Sequence, residues 1–329
     1  MRLCLKVLTA TLVLVAPMAG FGASCTAQGE LLLQDRSALA ATGEKVAAAI
    51  VQQDDATLQS ALFSGVAQDW PGIHEAVDDG APLVKGGQAQ IQSVYLLDDS
   101  SATAVADTQF FCSNASGSLT VTITMHALPP GKYAVVLADA AGSPLGGHLG
   151  IILVWDPTGP VAGWRLGGIS VRQGIIDGHD GVWYWTKGRA LAATNDAWGA
   201  WYSYELARYL LLPVDFISSP NMEKLVQEQS LIKDSPSGAF PYSLTEGVRT
   251  WKIDSIHVET SLHQDDLGVT YESIGVTDPA AARTEAVAVL SALLKAHPEL
   301  KGNFHGLWAF ASQDGKVTPV IELPMAQIP

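Results

Sequence analysis

The sequence predicts an α+β protein: helices first, then a curved antiparallel sheet, then a helical hairpin, and last a ββαββ layer. Three observations predict this. A Leu/Ala/Glu/Lys-rich stretch with helical spacing follows residue 30, two-residue alternation sets in after Gly87, and strand patterns return after Thr250 around a single helix. With 48% hydrophobic and 16% charged residues, the chain lies far from the composition of disordered proteins. Its 329 residues exceed one core, so two or three packed units of ~100–150 residues are expected.

Residues 1–27 read as a secretory signal peptide: Arg2 and Lys6 precede an apolar run from Val7 to Ala16, followed by small residues up to Ala27. The run is shorter than the ~20 residues a membrane-spanning helix needs, so export without a membrane span is predicted. Residues 28–175 form the first unit. A helix is expected from Glu30 to about Val51, with Leu32, Leu39, Val46 and Ile50 on one face and a break near Gly43. A second begins at Asp55 as N-cap and carries Leu58 and Leu62. Strands follow at Ile91–Leu97, Ala104–Cys112, Leu119–Met125, Tyr133–Ala138, Leu149–Trp155 and Trp164–Val171, with turns at Pro129-Pro130-Gly131 and Ser143–Gly147. The stretch 119–125 alternates apolar residues with threonines, as a sheet with one dry and one wet face requires.

Helices followed by long antiparallel strands between Glu30 and Arg172 resemble the cone-shaped fold of the nuclear transport factor two-like superfamily, to which ketosteroid isomerase and polyketide cyclase relatives belong. That resemblance implies a sheet wrapped around helices and a pocket, lined in enzymes by an acid–base pair. Asp107, His126 and Asp139 are polar positions in or near these strands, and none aligns with a catalytic position of the family.

Residues 176–213 predict a helical hairpin hinged at Thr194-Asn195-Asp196. Trp183, Gly188, Ala200, Tyr204, Ala207 and Pro213 resemble the small-and-large pattern of one tetratricopeptide repeat. A lone repeat cannot bury its own face, so it must pack on a neighbouring unit. Residues 214–249 read as a linker with a short helix near Met222–Ile232. Residues 250–329 read as ββαββ, an antiparallel sheet under one helix: strands Trp251–Glu259 and Gly268–Gly275, a helix capped by Asp278 with Val287, Leu290 and Leu294 buried, then strands Leu307–Ser312 and Val317–Leu323.

Chemical motifs are sparse. There is no phosphate-cradling loop, no His-Glu-x-x-His, no paired Cys-x-x-Cys and no nucleophile elbow, so no metal and no cofactor are predicted. His257 and His263 read as loop histidines. Unusual residues are densest between Asp177 and Tyr209. His179 and Asp180 sit between glycines, and Trp183, Trp185 and Trp201 could stack on a ligand, so these five are the candidate ligand-binding residues. Two competing readings stand beside that one: Asp180 as a helix cap, and a stripe of Trp198, Tyr202 and Tyr209 as core.

Cys4 leaves with the leader, and the remaining Cys25 and Cys112 read first as a disulfide. A lipid anchor on Cys25 is the second choice, because Gly22-Ala23-Ser24 lacks the aliphatic residue of a lipobox. Net charge is −14, or −16 without Arg2 and Lys6, which excludes nucleic acid as a partner. The sequence therefore predicts an exported, periplasmic or extracellular protein that binds a small ligand or an envelope protein without catalysis. The alternative is an enzyme of lyase, isomerase or hydrolase type with an acid–base pair in the cone pocket.

Overall fold

The computed structural model describes residues 22–159, 161–273, 275 and 278–329. Most of the expected leader lies outside these residues, but its last four form strand β1 (Ser24–Ala27). β1 pairs antiparallel with the end of β2 (Gln88–Asp98), Cys25 opposite Leu97 and Ala27 opposite Tyr95. Those residues belong to the sheet.

Helix α1 (Leu33–Gln52) runs unbroken through Gly43. The glycine is a close contact rather than a break: a Cβ there would lie 2.9 Å from a methyl of Val136 on the sheet below. Helix α2 (Asp55–Ala61) is capped one residue earlier than expected, since the Asp54 carboxylate accepts the Thr57 amide at 3.1 Å and Asp55 is the first helical residue. Helix α3 (Trp70–Val84) adds a third to this layer.

All six strands predicted between residues 91 and 171 are present: β2, β3 (Ala106–Ser113), β4 (Leu119–Leu128), β5 (Lys132–Ala141), β6 (His148–Asp156) and β7 (Gly163–Arg172). The first sheet has the order β1-β2-β5-β6-β7 and is antiparallel throughout. Its central strand β5 is buried on both faces. Ala134, Val136 and Ala138 of β5 join Leu39, Val46 and Ile50 of α1 in one core, while Tyr133 and Val135 join Phe110, Cys112 and Ile123 of the β3–β4 hairpin in another. Cys25–Cys112, whose Cα atoms lie 5.0 Å apart, lies in the second of these cores and ties strand β1 of the first sheet covalently to β3. That bond uses the sulfur a lipid anchor would need.

A two-stranded hairpin, β8 (Ile175–Ile176) and β9 (His179–Asp180), leads into α4 (Gly181–Ala193) and α5 (Ala197–Leu211). Residues 214–249, expected as a linker, also contribute two strands. β10 (Ile217–Ser218) pairs with β4, Ser218 opposite Thr122, and α6 (Pro220–Ser230) follows. This is why Thr122, on the face expected to be wet, is buried. β11 (Tyr242–Glu246) then joins the last sheet, β11-β12-β13-β14-β15, with β12 (Arg249–Glu259), β13 (Asp266–Glu272), β14 (Gly306–Gln313) and β15 (Lys316–Pro324).

This sheet is mixed. β13 and β14 run parallel because α7 (Pro279–Ala296) carries the chain across as a crossover helix. Asp278 caps α7 by accepting the Ala281 amide at 2.8 Å, and Leu290 and Leu294 are buried. Tyr202, Tyr184 and Leu210 of the helical hairpin share this core with α7, so the hairpin packs on the C-terminal layer. Among the described residues no helix is long and apolar enough to cross a membrane.

Candidate functional site

The turn at Ser143–Gly147 folds β5 back on β6 and sets the register that places Asp139 opposite His148. Their side chains meet, with His148 Nδ1 2.6 Å from Asp139 Oδ1. Both groups are half-buried. The end of β7 passes close to this pair. At Gly174 a Cβ would fall 2.6 Å from His148 Nε2 and 2.3 Å from the Gly146 carbonyl, so only a bare backbone lets the two loops close. Leu145 O accepts the amides of Gly174 and Ile175, which fixes the approach.

Asp177 and Gly178 form the two-residue turn between β8 and β9, with φ of 47° and 75°, the combination that Asp-Gly favours. The chain then enters α4 at Asp180, whose carboxylate accepts the Trp183 amide at 2.8 Å, and so Asp180 is a helix cap. Between the hairpin tip and α4 lies a cleft of about 360 Å³. Its polar side chains are Asp139, Ser143, His148 and Asp180, and Ile175, Val182 and Leu211 supply apolar wall. A larger hollow of about 610 Å³, between α5 and α6, holds Arg208, Asp215 and Glu223 and no histidine.

The five candidate residues divide. His179 stacks on Trp183 with ring centroids 3.7 Å apart, and Trp183 is 40% exposed. Of the five, Asp180 lines the cleft, while the His179–Trp183 stack lies outside its lining, with Lys187 Nζ 5.3 Å from the Trp183 ring. Trp185 turns away and donates Nε1–H to Glu228 of α6 at 2.8 Å. Glu228 also receives a two-pronged hydrogen bond from Arg189 and one from the Tyr204 hydroxyl. The Arg189 fork above all holds its carboxyl down at about 2. Trp201 packs against the C-terminal core, as do Trp198, Tyr202 and Tyr209, the stripe that also read as core.

Asp107 and His126 pair at 3.1 Å on the open surface. His263 accepts or donates at 3.1 Å with Gln173, and the Asp177 amide donates to its carbonyl, tying the β7–β8 connection to the C-terminal layer. His148 had no signal of its own in the sequence. Counting outward from the Ser143–Gly147 turn puts it opposite Asp139, and that register is the signal that could have found it.

No family model matches the chain, and neither a curated protein nor a solved structure matches it.

Proposed function

We propose that this chain is an exported, non-catalytic binding protein of the cell envelope that holds a small polar ligand in the cleft between the first sheet and the helical hairpin. The observation that carries this reading is the His148–Asp139 pair facing a cleft of about 360 Å³ whose opposite wall is the start of α4. Two aspartates at the cleft and a net charge of −14 favour a neutral or cationic ligand with hydroxyl or amine donors. Trp183, 40% exposed, follows Val182 of the cleft wall and adds aromatic surface to the same end of α4. The charged start, apolar run and small residues of 1–27 support export, as does a disulfide between Cys25 and Cys112. The helix-first order supports the nuclear transport factor two-like reading of the N-terminal half. Its helix-covered sheet face is filled by apolar side chains, which favours binding elsewhere over catalysis inside it.

The test is a thermal-shift screen of the full chain against small sugars, polyols and amines. Compounds that raise the unfolding midpoint are expected, with the rise lost in His148→Ala and Asp139→Asn. If no compound stabilises the protein in a His148-dependent way, the reading fails.

The same pair favours a second reading, proton transfer, since Asp139 orients the imidazole through Nδ1 and leaves Nε2 as the base. Conversion of a bound compound, abolished in His148→Ala with binding retained, would select it.

A further inference from the structure

On the C-terminal sheet, three chemistry-bearing residues far apart in the chain are brought to one corner. Asp266 opens β13, His305 immediately precedes β14, and Glu322 lies in β15 opposite Trp308. The parallel β13–β14 pair and the antiparallel β14–β15 pair set these three side by side. One imidazole nitrogen and one oxygen from each carboxylate all lie within 4.8 Å of one another. The rungs alternate: Leu267, Val269, Leu307 and Ala309 belong to the core shared with α7, whereas Asp266, Trp308 and Phe310 project from the other face.

We infer that Asp266, His305 and Glu322 bind one divalent first-row transition-metal cation through an imidazole nitrogen and two carboxylate oxygens.

A hydrogen bond between His305 Nδ1 and Asp266 Oδ1, at 2.8 Å, accounts for those two groups alone. It leaves Glu322 unexplained. Its Oε1 is buried with no hydrogen-bond partner, and among the described residues neither Glu322 nor Asp266 has a lysine or arginine partner. Two converging carboxylates without a cation repel, and an orphaned buried oxygen is costly. A second feature keeps the space between them open. At Gly306 a Cβ would lie 2.9 Å from Asp266 Oδ1 and 3.1 Å from Glu322 Oε1, so any side chain there would occupy the position of an ion.

The surrounding bonds orient the donors. Asp266, 1% exposed, accepts Trp308 Nε1–H on its other oxygen at 3.2 Å, which leaves Oδ1 for the site. His305 is fixed through its backbone: its amide donates to Asp265 Oδ1 at 3.0 Å and its carbonyl accepts the Met325 amide at 2.8 Å. Such outer partners are what metal ligands need to hold their orientation. The 2.8 Å between nitrogen and oxygen is close to the edge of an octahedron with bonds of about 2.1 Å, roughly 3 Å. One nitrogen with two carboxylate oxygens and no thiolate suits Zn²⁺ or Mn²⁺ better than Cu⁺, and the imidazole disfavours Ca²⁺. The remaining coordination positions face the side of the sheet on which Trp308 and Phe310 stack, 6.0 Å apart. The sequence predicted no metal because ligands at 266, 305 and 322 form no local motif.

The test uses the full chain stripped with a chelator and titrated calorimetrically with Zn²⁺ and with Mn²⁺. One equivalent of each is expected to bind, with affinity lowered at least tenfold in Glu322→Gln and His305→Gln and unchanged in His126→Ala, which removes the exposed His126–Asp107 pair. Because Asp266 is buried, its replacement is not used. Pulsed paramagnetic resonance of bound Mn²⁺ gives a readout independent of stability: a nitrogen coupling from one histidine is expected in wild type and in Glu322→Gln at saturating metal, and is absent in His305→Gln. The inference is overturned by no stoichiometric binding, by equal affinity in Glu322→Gln, by a loss in His126→Ala, or by Ca²⁺ binding as tightly as Zn²⁺.

Discussion

Lys187 Nζ lies 3.6 Å from the Asp265 carboxylate, joining helix α4 to the residue that precedes β13. The ammonium also donates to the Asn303 carbonyl and sits 5.2–5.6 Å from the ring centroids of Trp183, Tyr184 and Phe304. Burial pushes the lysine pKa down and the aspartate pKa up, so each group depends on the other to stay charged.

Replacing Lys187 with Met should therefore leave Asp265 buried with only the neutral donors of Tyr184 and His305. The expected loss is ~3–5 kcal/mol, as when one partner of a buried pair is removed. Lys187→Met with Asp265→Asn should recover most of it, because asparagine still accepts the His305 amide. Urea unfolding of the two variants checks both expectations.

Glu228 gives a pH dependence. Its carboxyl is held at about 2 rather than the ordinary 4.5, chiefly by Arg189. Since the folded value is the lower one, its contribution is fully present above about 4.5 and is lost as pH falls towards about 2. Glu228→Gln should flatten the stability profile in that window and leave the slope above pH 5 unchanged, as thermal midpoints across buffers would report.

The Cys25–Cys112 bond closes a loop with a sequence separation of 87. Chain entropy assigns such a crosslink about 4–5 kcal/mol. The double variant Cys25→Ala, Cys112→Ala should lose stability of that order in guanidinium titrations, and the intact mass of the unaltered chain under non-reducing conditions should fall two hydrogens short of its reduced form.

Leu290 of α7 is fully buried against the last sheet. Leu290→Ala should cost ~2–5 kcal/mol, which calorimetry reads as a lower midpoint.

Gly174→Ala should be destabilising by ~1–3 kcal/mol, because its Cβ would meet the Gly146 carbonyl and His148 Nε2. The change should also break the His148–Asp139 bond, visible in the histidine ring resonances. Gly72, in α3 with nothing near its Cβ position, is the contrast: Gly72→Ala should stabilise by ~0.5–1 kcal/mol.

What could be read from sequence was set by local periodicity. The strands from 91 to 171 are visible because alternation and turn residues act over a few positions, and Asp278 with Pro279 marks the start of α7 for the same reason. Gly43 was misleading: its helical cost is outweighed by close packing on Val136, which no local pattern records. The parallel β13–β14 pairing and the added strand β11 depend on long-range contacts. At the start of α4, Asp180, His179 and Trp183 stood out by composition, whereas His148 acquires its place in the cleft only through hairpin register. The corner of Asp266, His305 and Glu322 depends on three strands meeting, and no spacing rule spans them.

Strand β1 reaches the sheet by backbone pairing with β2 and by one covalent bond to β3. A cut after Ala27 made before the disulfide forms would strip the edge of the first sheet and expose the backbone of Tyr95–Asp98 as a sticky seam for other chains. Removal of a leader is compatible with a sealed sheet only upstream of Ser24. Any trimming of this N-terminus thus has a geometric limit of its own: the scissors must stop before the hem.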